Sequence, residues 1–166
     1  MLFQVAADGW FSFATRRYRC ALGRGGVAHD KREGDGRTPS GRFALRRVLY
    51  RADRVAAPDT GLPLTAIKPE DGWCDDPVDR AYNQLVRLPY RARAETLYRA
   101  DGLYDFLAVI GYNDQPLLPG AGSAIFLHIA RPDYGPTEGC VALAPEHLRE
   151  VLALADTGSE IEIRAS

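Results

Sequence analysis

Cysteine, histidine and lysine are scarce in this chain, and each scarcity excludes something. The three cysteines, Cys20, Cys74 and Cys140, form no C-x-x-C pair, so a zinc ribbon or a thioredoxin-type redox motif is excluded. Their odd number leaves at least one free thiol, and a Cys20–Cys74 bridge is an option only in an oxidising compartment. The three histidines, His29, His128 and His147, show no paired metal-ligand spacing, so no metal site is expected. Lys31 and Lys68 are the only lysines, and the net charge is −1. The clustered positive charge that binding to nucleic-acid phosphates requires is missing. No stretch approaches the ~20 apolar residues that span a bilayer. Met1–Val5 is too short for a signal peptide: Asp8 and Gly9 interrupt it, and Arg16 and Arg17 come too late to open one. With no repeat, low-complexity tract or linker, residues 1–166 read as one domain, long enough to bury a core without staples.

Most of the chain reads as strands. Leu2–Val5 and Trp10–Ala14 flank Asp8-Gly9, a hairpin signal, and Tyr18–Leu22 alternates before a glycine-rich turn. A charged loop from His29 to Arg37 leads to Thr38-Pro39-Ser40-Gly41, read as a turn, and then to a strand over Phe43–Tyr50. Residues 51–89 are irregular and rich in Pro and Asp. Ala92–Ala100 reads as a short helix, and Tyr104–Gly111 and Ile125–His128 as apolar strands. Pro145–Asp156 is the clearest helix, with proline in its first turn, a Leu148–Val151–Leu152–Ala155 stripe, and Gly158 beyond its end. Glu160–Ile163 alternates as a closing edge strand. The fold expected is mostly β with small helices: a curled β-sheet or sandwich with one helix near the C-terminus.

Chemistry concentrates between His128 and Val141. A histidine ends an apolar strand, a loop rich in Pro and Gly follows, and Cys140 comes directly after Gly139. A thiol nucleophile needs a base within reach and unhindered backbone N–H groups beside its sulfur. Glycine at 139 allows close approach, and the N–H groups of Gly139 and Cys140 are candidates to hold an oxyanion. His128 either takes the Cys140 proton as a neutral base or forms a thiolate–imidazolium pair with it. No Asp or Asn stands at a suggestive spacing, so a backbone carbonyl is expected to orient the ring.

These motifs, taken in order, resemble the YkuD-type L,D-transpeptidase catalytic domain. The resemblance is carried by Thr38-Pro39-Ser40-Gly41 with Phe43, by His128, by Gly139-Cys140-Val141, and by the helix and strand that follow. It covers about Gly34 to Ile163. The commonest family pattern is Ser-His-Gly-Cys, an aliphatic residue and an Arg; here Thr137-Glu138-Gly139-Cys140-Val141-Ala142 stands in its place. Glu138 replaces the second histidine and Ala142 the arginine, so the chain is similar to a variant branch of the family.

The resemblance implies a YkuD-like curled sheet and an enzyme without cofactor or metal, acting as a monomer on peptidoglycan stem peptides. Cys140 would attack the carbonyl of an L–D peptide bond, and His128 would move the proton. A thioester would pass to an acceptor amine, crosslinking stems in 3–3 or, given the variant motif, 1–3 fashion. Carbapenem-type β-lactams are the inhibitors such a site implies. The family implies a periplasmic or envelope location, with the cytoplasm the alternative because no signal peptide is read. An L,D-carboxypeptidase or D-amino-acid exchange enzyme, and a non-catalytic wall-binding module, stay open.

Stem peptides carry carboxylates, so the site needs cations or N–H donors. Arg131 is the first candidate to replace the missing arginine, with Tyr134, Tyr112, Asn113 and Trp73 as further candidates for the binding surface. Glu138 either points to solvent or meets the ammonium of an acceptor. Trp73 and the neighbouring Tyr82-Asn83 have a competing reading, in which they pin a long loop to the core. His29 and His147 are expected to be exposed.

Overall fold

A computed structural model describes every residue, Met1–Ser166. In chain order the elements are β1 (Leu2–Ala6), β2 (Trp10–Phe13), β3 (Arg16–Ala21), β4 (Val27–Ala28), β5 (Thr38–Pro39), β6 (Gly41–Tyr50), β7 (Leu64–Ala66), β8 (Asp71–Cys74), β9 (Leu85–Arg87), β10 (Ala94–Thr96), β11 (Phe106–Ile110), β12 (Phe126–Ile129), β13 (Val141–Leu143), α1 (Pro145–Leu154) and β14 (Glu160–Arg164).

The main sheet runs β11-β12-β13-β3-β2-β1-β14-β6-β7, and β11 also pairs with β6. The curl therefore closes into a ring, with β7 attached outside it. Closure is made by β6, whose first residues pair with β14 and whose later ones pair with β11. A closed ring removes the unpaired edges that an open sheet would present.

Alternation along the strands sorts side chains to the two sides of the ring. One core holds Phe3, Phe11, Leu127, Val141 and Ile161 with Leu148, Val151 and Leu152 of α1. Phe106, Ala108 and Ile110 of β11 face this core, while Leu107 and Val109 face a second one with Trp73, Leu97, Phe126 and Cys140. Burial on both faces explains why β11 and β12 read as unbroken apolar runs. The three-stranded sheet β10-β8-β9 is a separate sheet, and its Trp73 joins the second core.

Four expectations are corrected. Ala92–Ala100 is not helical: Ala94–Thr96 forms β10 and pairs with β8, a partner 20 residues upstream that local propensity does not register. Thr38-Pro39 is not a turn but a strand parallel to β4, because the buried Thr38 hydroxyl accepts the Gly23 N–H at 2.8 Å. Glu160–Ile163 lies inside the sheet, between β1 and β6, since alternation looks the same on an edge strand and on a central strand with one solvated face. His147 is only partly exposed, because its ring stacks on Tyr18 at 3.9 Å. The helix itself ends at Leu154, slightly earlier than its apolar stripe.

Candidate active site

The site grows out of a parallel pair. β12 and β13 align Leu127 with Val141 and His128 with Ala142. Cys140 immediately precedes β13, two residues before Ala142, so it shares the outer face of the ring with Ala142 and with His128. Two residues along a strand span about 6–7 Å, within side-chain reach between neighbouring strands. The twelve-residue spacing is therefore closed by strand pairing, and both side chains line one cavity of ≈ 380 Å³.

The Cys140 sulfur is held at both ends of its hydrogen-bonding capacity. Its S–H donates to the Ala124 carbonyl at 3.2 Å, and the Phe126 N–H donates to it at 3.3 Å. The Ala124 backbone has a positive φ of 53° and is fixed in turn by Asn83, whose Oδ1 accepts the Ala124 N–H at 3.0 Å. The same Oδ1 accepts the Trp73 indole N–H at 2.9 Å, and Asn83 Nδ2 donates to the carbonyls of Tyr112 and Asn113. Asn83 thus joins the β8–β9 loop to the segment that receives the thiol.

His128 is buried, with Nδ1 2.8 Å from the Ile129 carbonyl and the Tyr104 ring edge-on at 5.3 Å. A carbonyl can only accept, so the Nδ1 proton is retained and Nε2 is the basic nitrogen. The orienting group is a backbone carbonyl. Burial, opposed by the Ile129 bond, brings the imidazolium down to about 4. Burial, reinforced by the negative charge of Glu95, pushes the Cys140 thiol up to about 12. Both shifts favour the neutral forms, so the resting pair is a neutral thiol beside a neutral imidazole rather than a thiolate–imidazolium pair.

The expected pair of oxyanion donors is revised. The Gly139 N–H donates to Thr137 Oγ1 at 3.1 Å, while the Thr137 hydroxyl donates to the Cys140 carbonyl at 2.7 Å. The Cys140 N–H makes no backbone hydrogen bond. Gly139 is needed for another reason: its φ is +137°, and a Cβ there would lie 2.7 Å from the Arg37 carbonyl oxygen and 3.4 Å from Lys31 Nζ. We expect Gly139→Ala to cost at least about 2 kcal/mol through the strained φ and this clash, seen as a lower denaturation midpoint with slowed thiol alkylation or acylation.

Charged groups ring the cavity. Lys31, Arg93, Arg99 and Arg131 supply the cations, and Glu33, Asp75, Glu95 and Glu138 the carboxylates. Lys31 pairs with Asp35 at 3.0 Å, Arg93 with Asp75 at 3.0 Å, and Arg99 with Asp101; Arg131 has no such partner. Glu138 is exposed on the cavity lining and pairs with Arg24. Lys31, Glu95 and Arg99 were invisible as site residues, because they converge from segments far apart in the chain and Glu95 was hidden in a segment read as helix.

Four sequence candidates fall outside this cavity. Trp73 is buried and spent on Asn83. Tyr112 packs edge-on against Phe43 and donates its hydroxyl to the Ala121 carbonyl at 2.5 Å. Asn113 adopts φ +50° and brackets its own loop through Leu118 and Gly122. Tyr134 lies beneath the Arg19 guanidinium, against the Ala21–Ala130–Ala142 cluster. In each case an aromatic ring or an amide supports a loop near the site without facing into it.

A model of the YkuD family, the L,D-transpeptidase catalytic domain, matches residues 3–163. The chain belongs to that family. Among solved structures, this L,D-transpeptidase-family domain is similar to the L,D-transpeptidase from Mycobacterium smegmatis, at 12% identity and a TM-score of 0.46, covering 99% of this chain and 58% of that one. The same figures hold for L,D-transpeptidase 1 of Mycobacterium tuberculosis. The helical cell shape determining protein Pgp2 from Campylobacter jejuni is 14% identical with a TM-score of 0.49, covering 99% of this chain and 47% of that one. No curated protein matches the chain in sequence. The domain spans roughly half the length of the solved chains it matches.

Proposed function

We propose that this domain is a cysteine-dependent peptidoglycan L,D-transpeptidase. The observation that carries the reading is the Cys140–His128 arrangement: a neutral thiol and a carbonyl-oriented neutral imidazole on one face of adjacent parallel strands, opening on a cavity lined by charge. The cavity suits a substrate bearing both carboxylate and ammonium groups, which stem peptides do.

Cys140 attacks the carbonyl of an L-residue joined to a D-residue while its proton moves to Nε2 of His128. The Cys140 N–H stabilises the oxyanion. The tetrahedral intermediate collapses as His128 returns the proton to the leaving amine, leaving a thioester. An acceptor amine from a second stem then displaces the sulfur. The link formed is 3–3 or 1–3, depending on which L–D bond is used. Carbapenem-type β-lactams acylate the same sulfur, the domain acts as a monomer, and the place of action is the cell envelope.

Arg131, the cavity cation with no carboxylate partner, binds a carboxylate of the donor stem. Arg131→Ala is expected to raise KM about 10- to 100-fold with a much smaller change in kcat, the signature of a lost charge-assisted contact made in both ground and transition states.

The test is incubation with purified disaccharide-peptides, with mass spectra of both protein and products. An acyl adduct on the protein and a new crosslinked dimer are expected, and fragmentation of the dimer identifies the bond. Shortened monomers without dimers make the enzyme an L,D-carboxypeptidase or a D-amino-acid exchanger. No adduct and no product from any stem overturns the catalytic reading in favour of a wall-binding module.

A further inference from the structure

We propose that Glu95 is the acceptor-side residue of this site: its carboxylate binds the incoming amine as an ammonium and removes one proton before attack on the thioester. The proposal rests on the transpeptidase reading above.

The four cavity carboxylates are not equivalent. Asp75 is held by Arg93, and Glu138 by Arg24. Glu33 also keeps a free Oε2, but its Oε1 is pinned by two hydroxyls, Tyr82 at 2.7 Å and Ser123 at 2.5 Å, which already satisfy its charge. Glu95 accepts a single bond, from the Tyr104 hydroxyl to Oε1 at 2.9 Å, and Oε2 makes none within the protein. It has no cation in salt-bridge contact. A partly buried carboxylate with an oxygen to spare, in the cavity that holds a thioester, is built to receive a cation.

Position supports the assignment. Glu95 lies on β10 opposite Trp73 of β8, in the small sheet, whereas Cys140 and His128 lie on the ring. The nucleophile–base pair and Glu95 therefore approach the cavity from different sheets. The Tyr104 ring stands between them, bonded through its hydroxyl to Glu95 and packed by its edge against His128. The groups that act on Glu95 are Tyr104 and Arg99, which favour its charge, and Asp75 and Glu33, which oppose it; removal from water outweighs them and brings the carboxyl up to about 7. A carboxylate with that affinity for protons is a competent base near neutral pH.

The chemistry balances. An amine arrives protonated and cannot attack until it loses a proton. Glu95 takes that proton and becomes a carboxylic acid, and the freed nitrogen lone pair forms a bond to the thioester carbon. The carbon–sulfur bond then breaks as the remaining excess proton on nitrogen passes through His128 to the sulfur. The thiol is regenerated, and Glu95 returns its proton to solvent. Water carries no positive charge for Glu95 to bind, so the residue favours capture of an amine and hence crosslinking over hydrolysis.

The experiment follows the two half-reactions of the full chain separately, in wild type and Glu95→Gln. Glutamine keeps an oxygen for the Tyr104 hydroxyl and removes only the charge. Adduct mass spectrometry gives the acylation rate, which is expected to rise in Glu95→Gln because a negative charge beside the thiol has gone. The ratio of aminolysis to hydrolysis with a stem-peptide acceptor is expected to fall about 10- to 100-fold at pH 8, the size of a lost charge-assisted contact. In wild type that ratio carries an inflection near pH 7, which the variant lacks. Hydroxylamine, largely uncharged at neutral pH, is expected to intercept both acyl-enzymes equally well. Acylation of both proteins with identical aminolysis ratios and pH profiles overturns the proposal, as does an equal loss with hydroxylamine, which would mark a merely structural residue. Failure of wild type to form any acyl-enzyme overturns instead the transpeptidase reading on which the proposal stands.

Discussion

Cys140→Ala is expected to form no acyl adduct with any stem peptide, and His128→Ala to form it about 10²–10⁴ times more slowly than wild type, the loss that follows when a positioned general base is removed. Single-turnover mass spectrometry checks both expectations. The two neutral groups also set the pH dependence. With His128 as the base, acylation by the free enzyme is expected to hold its level down to about pH 4 instead of failing near the usual imidazole value. A buried thiol with a value of about 12 predicts slow alkylation of the resting enzyme below that pH. An acid limb near pH 6.5, or rapid alkylation at neutral pH, would mean that a thiolate–imidazolium pair is the resting state after all.

The same shift is a statement about stability. The folded value of His128 lies below its ordinary value of 6.5, so the unfolded chain binds the extra proton between them. That contribution is fully present above pH 6.5 and is lost as pH falls towards 4, on the order of 3 kcal/mol across the window. Replacing His128 by leucine removes this part of the acid destabilisation. Cys140 acts at the other end: its folded value is raised, so its contribution is present below the ordinary thiol value of 9 and disappears as pH climbs towards 12.

Asn83→Ala is expected to lower stability by about 4 kcal/mol, because it strips partners from the buried Trp73 indole N–H and from the Ala124 N–H, and also from two backbone carbonyls. The left-handed φ of +59° adds to the cost, since alanine tolerates it less well than asparagine. For a chain of this size the melting temperature should drop by roughly 10 °C. Acylation should slow as well, because Ala124 carries the carbonyl to which the Cys140 S–H donates. A melting temperature within 2 °C of wild type for Asn83→Ala, with normal acylation, would show that the hub is dispensable.

Several features were readable from local pattern because their causes are local. The Asp8-Gly9 hairpin, the apolar runs of β11 and β12, and the Pro145 helix each carry their own turn residues or periodicity. The ordered His128, Gly139 and Cys140 pointed to one site because a strand end and a glycine before a thiol are themselves local signals. The readings that failed depended on distant partners. β10 exists because β8 offers it an edge, and β14 is central because β1 and β6 flank it. The aromatic and amide candidates looked alike in sequence whether they faced the cavity or propped up a loop beside it.

What the sequence by itself determined is the strand-rich class, the family, and the candidate histidine–cysteine pair, all properties of short segments and their order. Tertiary structure alone decided that the curled sheet closes on β6, that the Gly139 N–H is spent on Thr137 while its missing Cβ admits the Arg37 carbonyl, and that Glu95 meets the cavity of Cys140. These depend on contacts between segments tens of residues apart, and their protonation states depend on burial, which no local pattern encodes.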